Sequence, residues 1–161
     1  MSEALPLFRQ TVRPEWIDYN GHLSEAFYVL VFGYATDSLM IETGMGSEYR
    51  ADAGCSLYTV ESHVRYLRDV PVGAPLAIRT RLLGTGARKT RFAHEMYALD
   101  RAEAEPEPGA EPVATIELLG VHVDQGSGRA VPFPEAVRER LSALTEPAPP
   151  WAGRSIAPVP G

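Results

Sequence analysis

Apolar positions change their period along this chain, and the changes mark out its elements. Leu7–Val12 reads as a short strand, stopped by Pro14. From Glu25 to about Thr43, Phe27, Val31, Tyr34, Ser38 and Ile41 recur at helical spacing, with Leu30, Ala35 and Leu39 widening the stripe. Few charges interrupt it, so the spacing predicts a long helix buried on most sides. Ser24 stands at its N-cap, and Gly44 and Gly46 close it. Gly46–Gly54 is a polar connector with room for one helical turn.

Four strand-like runs follow. Ser56–Arg68 is long and rich in β-branched and aromatic residues, with Pro71 and Gly73 marking a turn after it. Pro75–Leu83 leads through Gly84-Thr85-Gly86 into Arg88–Leu99, which reads as a hairpin. Val113–Asp124 comes after an acidic, proline-containing loop and ends at the turn Gln125-Gly126-Ser127-Gly128. Pro134–Leu144 reads as a short helix. Glu146–Gly161 is rich in Pro and Ala, with little to bury, and is expected to be loosely attached or disordered. The expected organisation is one domain over residues 1–144 and a Pro-rich tail over 145–161. Antiparallel strands joined by short turns, with one buried helix, predict an α+β domain in which a sheet of about five strands wraps around that helix.

At 161 residues the chain suits a single domain with a proper core. Hydrophobic residues make up 45% and charged residues 22%, the composition of a soluble globular protein. The lone Cys55 excludes an intrachain disulfide and suits a reducing cytoplasm. No apolar run reaches membrane-spanning length, and Met1–Leu7 lacks a basic region followed by an apolar core. A cytoplasmic protein with no membrane partner is therefore expected. Of the net charge of −6, the segment Asp100–Pro112 alone carries −4, leaving −2 for the rest of the chain. That balance makes nucleic acid an unsuitable partner but leaves room for an anionic ligand elsewhere.

The chemistry concentrates in Trp16-Ile17-Asp18-Tyr19-Asn20-Gly21-His22-Leu23-Ser24, where a carboxylate, an amide, a glycine and an imidazole precede the long helix. An acid held at a helix N-terminus lies beside backbone N–H groups that can stabilise an oxyanion. Asp-x-Asn-Gly is equally good turn chemistry, so Asp18 and Asn20 have a structural reading as well. The loop and helix resemble the 4-hydroxybenzoyl-CoA thioesterase family of the hotdog fold. The run Leu57-Tyr58-Thr59-Val60-Glu61-Ser62-His63-Val64-Arg65-Tyr66-Leu67 looks closest to betainyl-CoA thioesterases and the thioesterase-like domain of carnitine dehydrogenases.

The resemblance covers roughly residues 7–140 and implies a hotdog acyl-CoA thioesterase. In that family an aspartate three residues before a glycine attacks the thioester or activates water, and Asp18 and Gly21 match the spacing. Asn20 and His22 would then position the acid or substrate. A first-turn N–H near Glu25 would bind the oxyanion, with Gly21 and Ser24 shaping the approach. Relatives often carry Met and Asn or Thr where Leu23 and Ser24 stand, which leaves the pocket shape open. The resemblance also implies a site shared between subunits of a homo-oligomer, a dimer or tetramer, with sheets joined edge to edge. The redox chemistry of carnitine dehydrogenases rests on a separate domain, and no dinucleotide fingerprint occurs in this sequence.

Other residues extend the candidate site. Trp16 and Tyr19 flank Asp18, and with Tyr28 they could box a trimethylammonium acyl group by cation–π attraction, or simply pack. Strand alternation puts Leu57, Thr59, Glu61, His63, Arg65 and Leu67 on one face. The Glu61–His63–Arg65 ladder on it could line a cleft or form cross-strand ion pairs. Arg88, Lys89 and Arg91 form the densest cationic cluster for coenzyme A phosphates. No histidine or acid spacing suggests a metal, and no cofactor is expected beyond the coenzyme A of the substrate. Two alternatives stand beside hydrolysis: an enoyl-CoA hydratase, although Asp18 and His22 lack that group's spacing and Pro, and a non-catalytic acyl-CoA-binding module.

Overall fold

The computed structural model describes residues 4–161, so the chain start read above for a targeting signal lies partly outside the described residues. Strand β1 (Phe8–Thr11) is followed by a 3-10 turn at Pro14–Trp16 and the motif loop. Helix α1 (Glu25–Glu42) and helix α2 (Ser47–Ala53) come next. The connector thus holds a full short helix, ended by Gly54 in the left-handed region. Strands β2 (Cys55–Tyr66), β3 (Pro75–Thr85), β4 (Lys89–Ala98) and β5 (Ala114–Asp124) form the body of the sheet. A two-residue β6 (Arg129–Ala130) pairs with β5, and α3 (Glu135–Ala143) closes the domain.

The sheet is antiparallel, in the order β1-β3-β4-β5-β2. Its inner face, including Ile78, Leu82, Phe92, Met96, Ile116 and Leu118, packs on Val31, Phe32, Ala35 and Leu39 of α1 in one continuous core. At about 25 cal/mol per Å² of apolar surface removed from water, this helix–sheet contact is the main stabilising layer. The expected sheet wrapped around one helix is what forms.

Three expectations need correction. The stripe Phe27, Val31, Tyr34, Ser38 and Ile41 is not the buried face of α1. Burial follows Tyr28, Val31, Phe32, Ala35, Leu39 and Met40, whereas Val29, Leu30, Tyr34 and Ile41 are exposed. α1 is apolar on nearly every side, so spacing cannot phase it. Secondly, β2 does not alternate throughout. Thr59 pairs with Gly120 and Glu61 with Leu119, so Val60 is a bulge and the faces exchange there. Leu57 and Thr59 therefore share a cavity wall with Ser62. Glu61 and His63 line the opposite side of the strand.

Thirdly, the segment after α3 is held along part of its length. The Glu146 N–H donates to the Leu82 carbonyl, and its carboxylate pairs with Arg81 and Arg79. The Gly153 N–H donates to Glu117, whose other oxygen accepts from Arg91. Buried charge on the outer sheet face captures this segment despite its low apolar content. From Gly153 onward the residues are exposed.

Candidate active site

The motif loop is built by backbone pairing before any side chain acts. The Asp18 N–H donates to the His22 carbonyl at 3.0 Å, and the Gly21 N–H donates to the Asp18 carbonyl at 3.0 Å. Gly21 has φ of 82°, a conformation open to glycine at no steric cost, so the turn requires it. Ile17 bridges to Leu23 and His22 to Pro71, which pins the loop to the segment after β2. The Leu23 N–H donates to the Val70 carbonyl, and the Ser24 N–H donates to the Trp16 carbonyl.

The Asp18 carboxylate accepts the Asn20 N–H at 2.8 Å. One oxygen thus serves the turn, as the structural reading expects, while the carboxylate also lines an open cleft of about 390 Å³. Glu25, Tyr28, Tyr66, Arg68 and Asp69 line the same cleft. Ser24 occupies the N-cap with extended backbone but makes no side-chain capping hydrogen bond. The capping chemistry expected of Ser24 is therefore unused, and the first turn of α1 carries no side-chain cap beside the Asp18 cleft. Such an end is electropositive and can receive a developing negative charge.

Tyr28 and Tyr66 form the aromatic part of the cleft, edge to face with centroids 5.1 Å apart. The Tyr28 hydroxyl donates to the Arg68 carbonyl at 3.0 Å. Burial, and after it the neighbouring Asp69, Tyr66 and Asp18, raises the Tyr28 pKa above its ordinary value. This phenol stays a proton donor at neutral pH and fixes the end of β2.

The other candidate residues divide clearly. His22 Nδ1 faces Asp69 at 3.9 Å, beyond hydrogen-bond length, and the backbone of His22 rather than its imidazole holds Asp18. Trp16 is buried, stacked on Phe27 at 5.8 Å with the Arg13 guanidinium over its ring. Tyr19 is fully exposed. Trp16 and Tyr19 therefore do not form one box within a chain, because core packing claims Trp16. Asn20 is exposed.

Glu61 and His63 belong to a separate depression on the outer sheet face, with Arg91, Glu117 and Arg154. His63 lies opposite Glu117 in the strand register, but Glu117 pairs with Arg91, and the Glu61–His63–Arg65 ladder forms no ion pair among the described residues. Arg88 and Lys89 are exposed at the β3–β4 hairpin, and Arg91 pairs with Glu117. β3 runs from the motif-loop end of the sheet to that hairpin, so a strand rise of about 3.3 Å per residue separates the cluster from Asp18 by roughly 30 Å in one chain.

Sequence reasoning missed Asp69 and the place of Tyr66 in the cleft. Asp69 follows β2 with no motif around it, and Tyr66 reaches this side only because the bulge at Val60 exchanges the faces. The remaining histidines are structural. His94 is fully buried between Thr36 and Thr80, each at 2.8 Å. His122 contacts the Tyr49 hydroxyl at 2.8 Å and the Val131 carbonyl at 3.0 Å. Among the described residues no group of three or more His, Cys, Asp or Glu side chains is placed to hold a metal ion, and no helix is long and apolar enough to cross a membrane.

Comparison with known proteins agrees with this architecture. The chain is 39% identical to betainyl-CoA thioesterase from Pseudomonas aeruginosa, over 99% of each chain. It is 40% identical to L-carnitine dehydrogenase/betainyl-CoA thioesterase from Agrobacterium fabrum, over 96% of this chain and 31% of that one. A Staphylococcus aureus protein solved in complex with CoA superposes with a TM-score of 0.83 at 21% identity, over 99% of both chains. The pattern of the thioesterase-like superfamily matches residues 12–141. With its curled antiparallel sheet, its central helix and this match over most of its length, the chain belongs to the thioesterase-like superfamily and has the hotdog fold.

Proposed function

We propose that this protein hydrolyses the thioester of a short, polar acyl-CoA, with betainyl-CoA the first candidate. The observation that carries this reading is the Asp18 carboxylate in a cleft at the start of α1, where the first turn has no side-chain cap. Asp18 would either attack the thioester carbonyl carbon or take a proton from the water that does so. The first route expels the CoA thiolate and leaves a mixed anhydride for water to cleave. The second passes directly to acid and thiol. Both place negative charge on the former carbonyl oxygen, and the first-turn N–H groups near Glu25 are the donors suited to it.

Two features support a cationic acyl group. The cleft carries the carboxylates of Asp18, Glu25 and Asp69 against the single guanidinium of Arg68. The similarity to a betainyl-CoA thioesterase extends over the full length of both chains. A second copy of this chain is part of the proposal. The Asp18 cleft and the Arg88–Lys89 cations stand too far apart in one chain to hold one ligand, so contributions from two chains would be needed.

Thiol release tests the reading directly. Purified protein is presented with betainyl-CoA, acetyl-CoA, a medium-chain acyl-CoA and benzoyl-CoA, beside the Asp18→Asn variant. Betainyl-CoA should lead the panel, and Asp18→Asn should lower kcat/KM by about a hundredfold or more, the usual cost of losing a nucleophile or general base. A folded Asp18→Asn protein with unchanged turnover would return Asp18 to the role of a turn residue.

A further inference from the structure

A second cavity lies between α1 and β2, outside the Asp18 cleft. Its volume is about 320 Å³, and its wall is mainly apolar, with Val29, Phe32, Leu57 and Leu118 prominent. One ionisable group lines it, Asp37. That carboxylate is exposed and forms no ion pair among the described residues. α1 contains no Lys or Arg, so no cation one helical turn away neutralises it. Asp is also a weak helix former. Asp37 is thus an acid that the helix itself gives no reason to keep.

Gly33, one turn earlier on the same wall, makes a parallel case. A helix-interior glycine is unfavourable relative to alanine. A Cβ at Gly33 would meet nothing within 4 Å, so no contact within the chain requires the glycine. Together the lining offers open space, mainly apolar walls, the hydroxyls of Thr36, Thr59 and Ser62, and one negative charge. A quaternary ammonium matches that combination, because its charge is spread over methyl groups and it has no N–H to satisfy. A primary ammonium would need acceptors for three N–H donors on several sides, whereas the Thr36 hydroxyl is already engaged with Phe32 and His94 and the Thr59 and Ser62 hydroxyls both lie on the β2 side.

We propose that this cavity receives the trimethylammonium end of the acyl group, with Asp37 as its countercharge and Asp18 supplied by a second chain. The proposal rests on the thioesterase reading above. Asp37 lies twelve residues beyond Glu25, about 18 Å along the helix axis. In a betainyl thioester the nitrogen is only two bonds from the carbonyl carbon, so Asp18 and Asp37 of the same chain cannot both serve one substrate. Two chains joined through their β2 edges about a twofold axis would lay their α1 helices antiparallel. The N-terminus of one helix, with its Asp18, then faces the Asp37 half of the other.

The test uses two non-hydrolysable thioethers that differ only in charge, S-(2-trimethylammonioethyl)-CoA and S-(3,3-dimethylbutyl)-CoA. Calorimetry should show the native protein preferring the cationic ligand, and Asp37→Asn should reduce that preference about tenfold, the scale of one partly screened charge contact. An unchanged preference in Asp37→Asn, or one that instead disappears in Asp69→Asn, overturns the assignment. This readout does not need turnover. If the native protein hydrolyses neither betainyl-CoA nor its neutral isostere 3,3-dimethylbutyryl-CoA, the thioesterase reading fails while the cavity's charge preference is still measured.

A doubly tagged heterodimer of Asp18→Asn and Asp37→Asn chains tests the sharing. If each site takes Asp18 from one chain and Asp37 from the other, one of the two sites is intact, and the heterodimer keeps about half the native betainyl-CoA activity. Activity no higher than the mean of the two variant homodimers places both residues in one chain's site and refutes the proposal.

Discussion

His94 shows how a single residue's surroundings decide its chemistry. The helix Thr36 hydroxyl already donates to the Phe32 carbonyl at 3.2 Å, so the same oxygen can accept from His94 Nε2, while Nδ1 accepts from Thr80. That pattern requires a neutral imidazole. Burial lowers its pKa from 6.5 to about 3. The sign follows: between pH 6.5 and about 3 the unfolded chain binds a proton that the folded chain refuses, so stability falls as pH falls through that window. Urea unfolding should show this group costing up to about 1.4 kcal/mol for each pH unit of descent. His94→Gln should flatten the slope between pH 6.5 and 4.5; an equally steep slope would assign the loss to other groups. None of this was legible in the residues around His94, because burial is set by strands and a helix distant in sequence. The turn of the motif loop was legible, since Asp18, Asn20 and Gly21 make it from local hydrogen bonds alone.

Elements were easier to recognise than to orient. α1 and the four long strands follow from hydrophobic period and glycine punctuation, and their bounds differ from expectation by a few residues. Orientation failed twice. The buried face of α1 depends on where the sheet lies, and the face exchange in β2 depends on the bulge opposite Gly120. Gly120 has its own reason: a Cβ there would stand 2.9 Å from Leu57 Cδ1 and 3.0 Å from its Cγ. Both contacts are inside normal packing distance, and Leu57 is itself buried. Gly120→Ala should therefore destabilise the protein by about 1–3 kcal/mol, the range for overpacking. Leu57→Ala placed in that background should recover part of the loss in melting temperature. Additive losses would show that Leu57 is not the obstacle.

At the scale of the molecule, many of the exposed large apolar residues lie on two elements, β2 and α1. β2 is an edge strand of 12 residues carrying exposed Tyr58, Val60 and Tyr66. α1 exposes Val29, Leu30, Tyr34 and Ile41, with Val29 beside β2 and Tyr34 toward β1, where its ring meets Phe8 at 6.5 Å. Long apolar edges invite pairing with another chain, and paired edges would also bring two α1 helices together. Sedimentation is expected to give about twice the chain mass of 17.6 kDa. Val60→Lys should shift the population toward monomer and lower thioesterase activity with it. A fully active monomer would refute both the edge pairing and any site shared between chains.

Local chemistry determined which segments form strands, where the helix begins and how the loop holding the Asp18 carboxylate turns, because period, turn residues and neighbour hydrogen bonds act over a few positions. Tertiary structure decided the rest. It buried Trp16 against Phe27, turned Glu61 and His63 to the outer face, joined Tyr66 and Asp69 to the Asp18 cleft, and left Asp37 over an open apolar cavity. Each of these outcomes depends on which distant surfaces pack together and on the register of one bulged strand, and neither quantity is carried by the residues nearby.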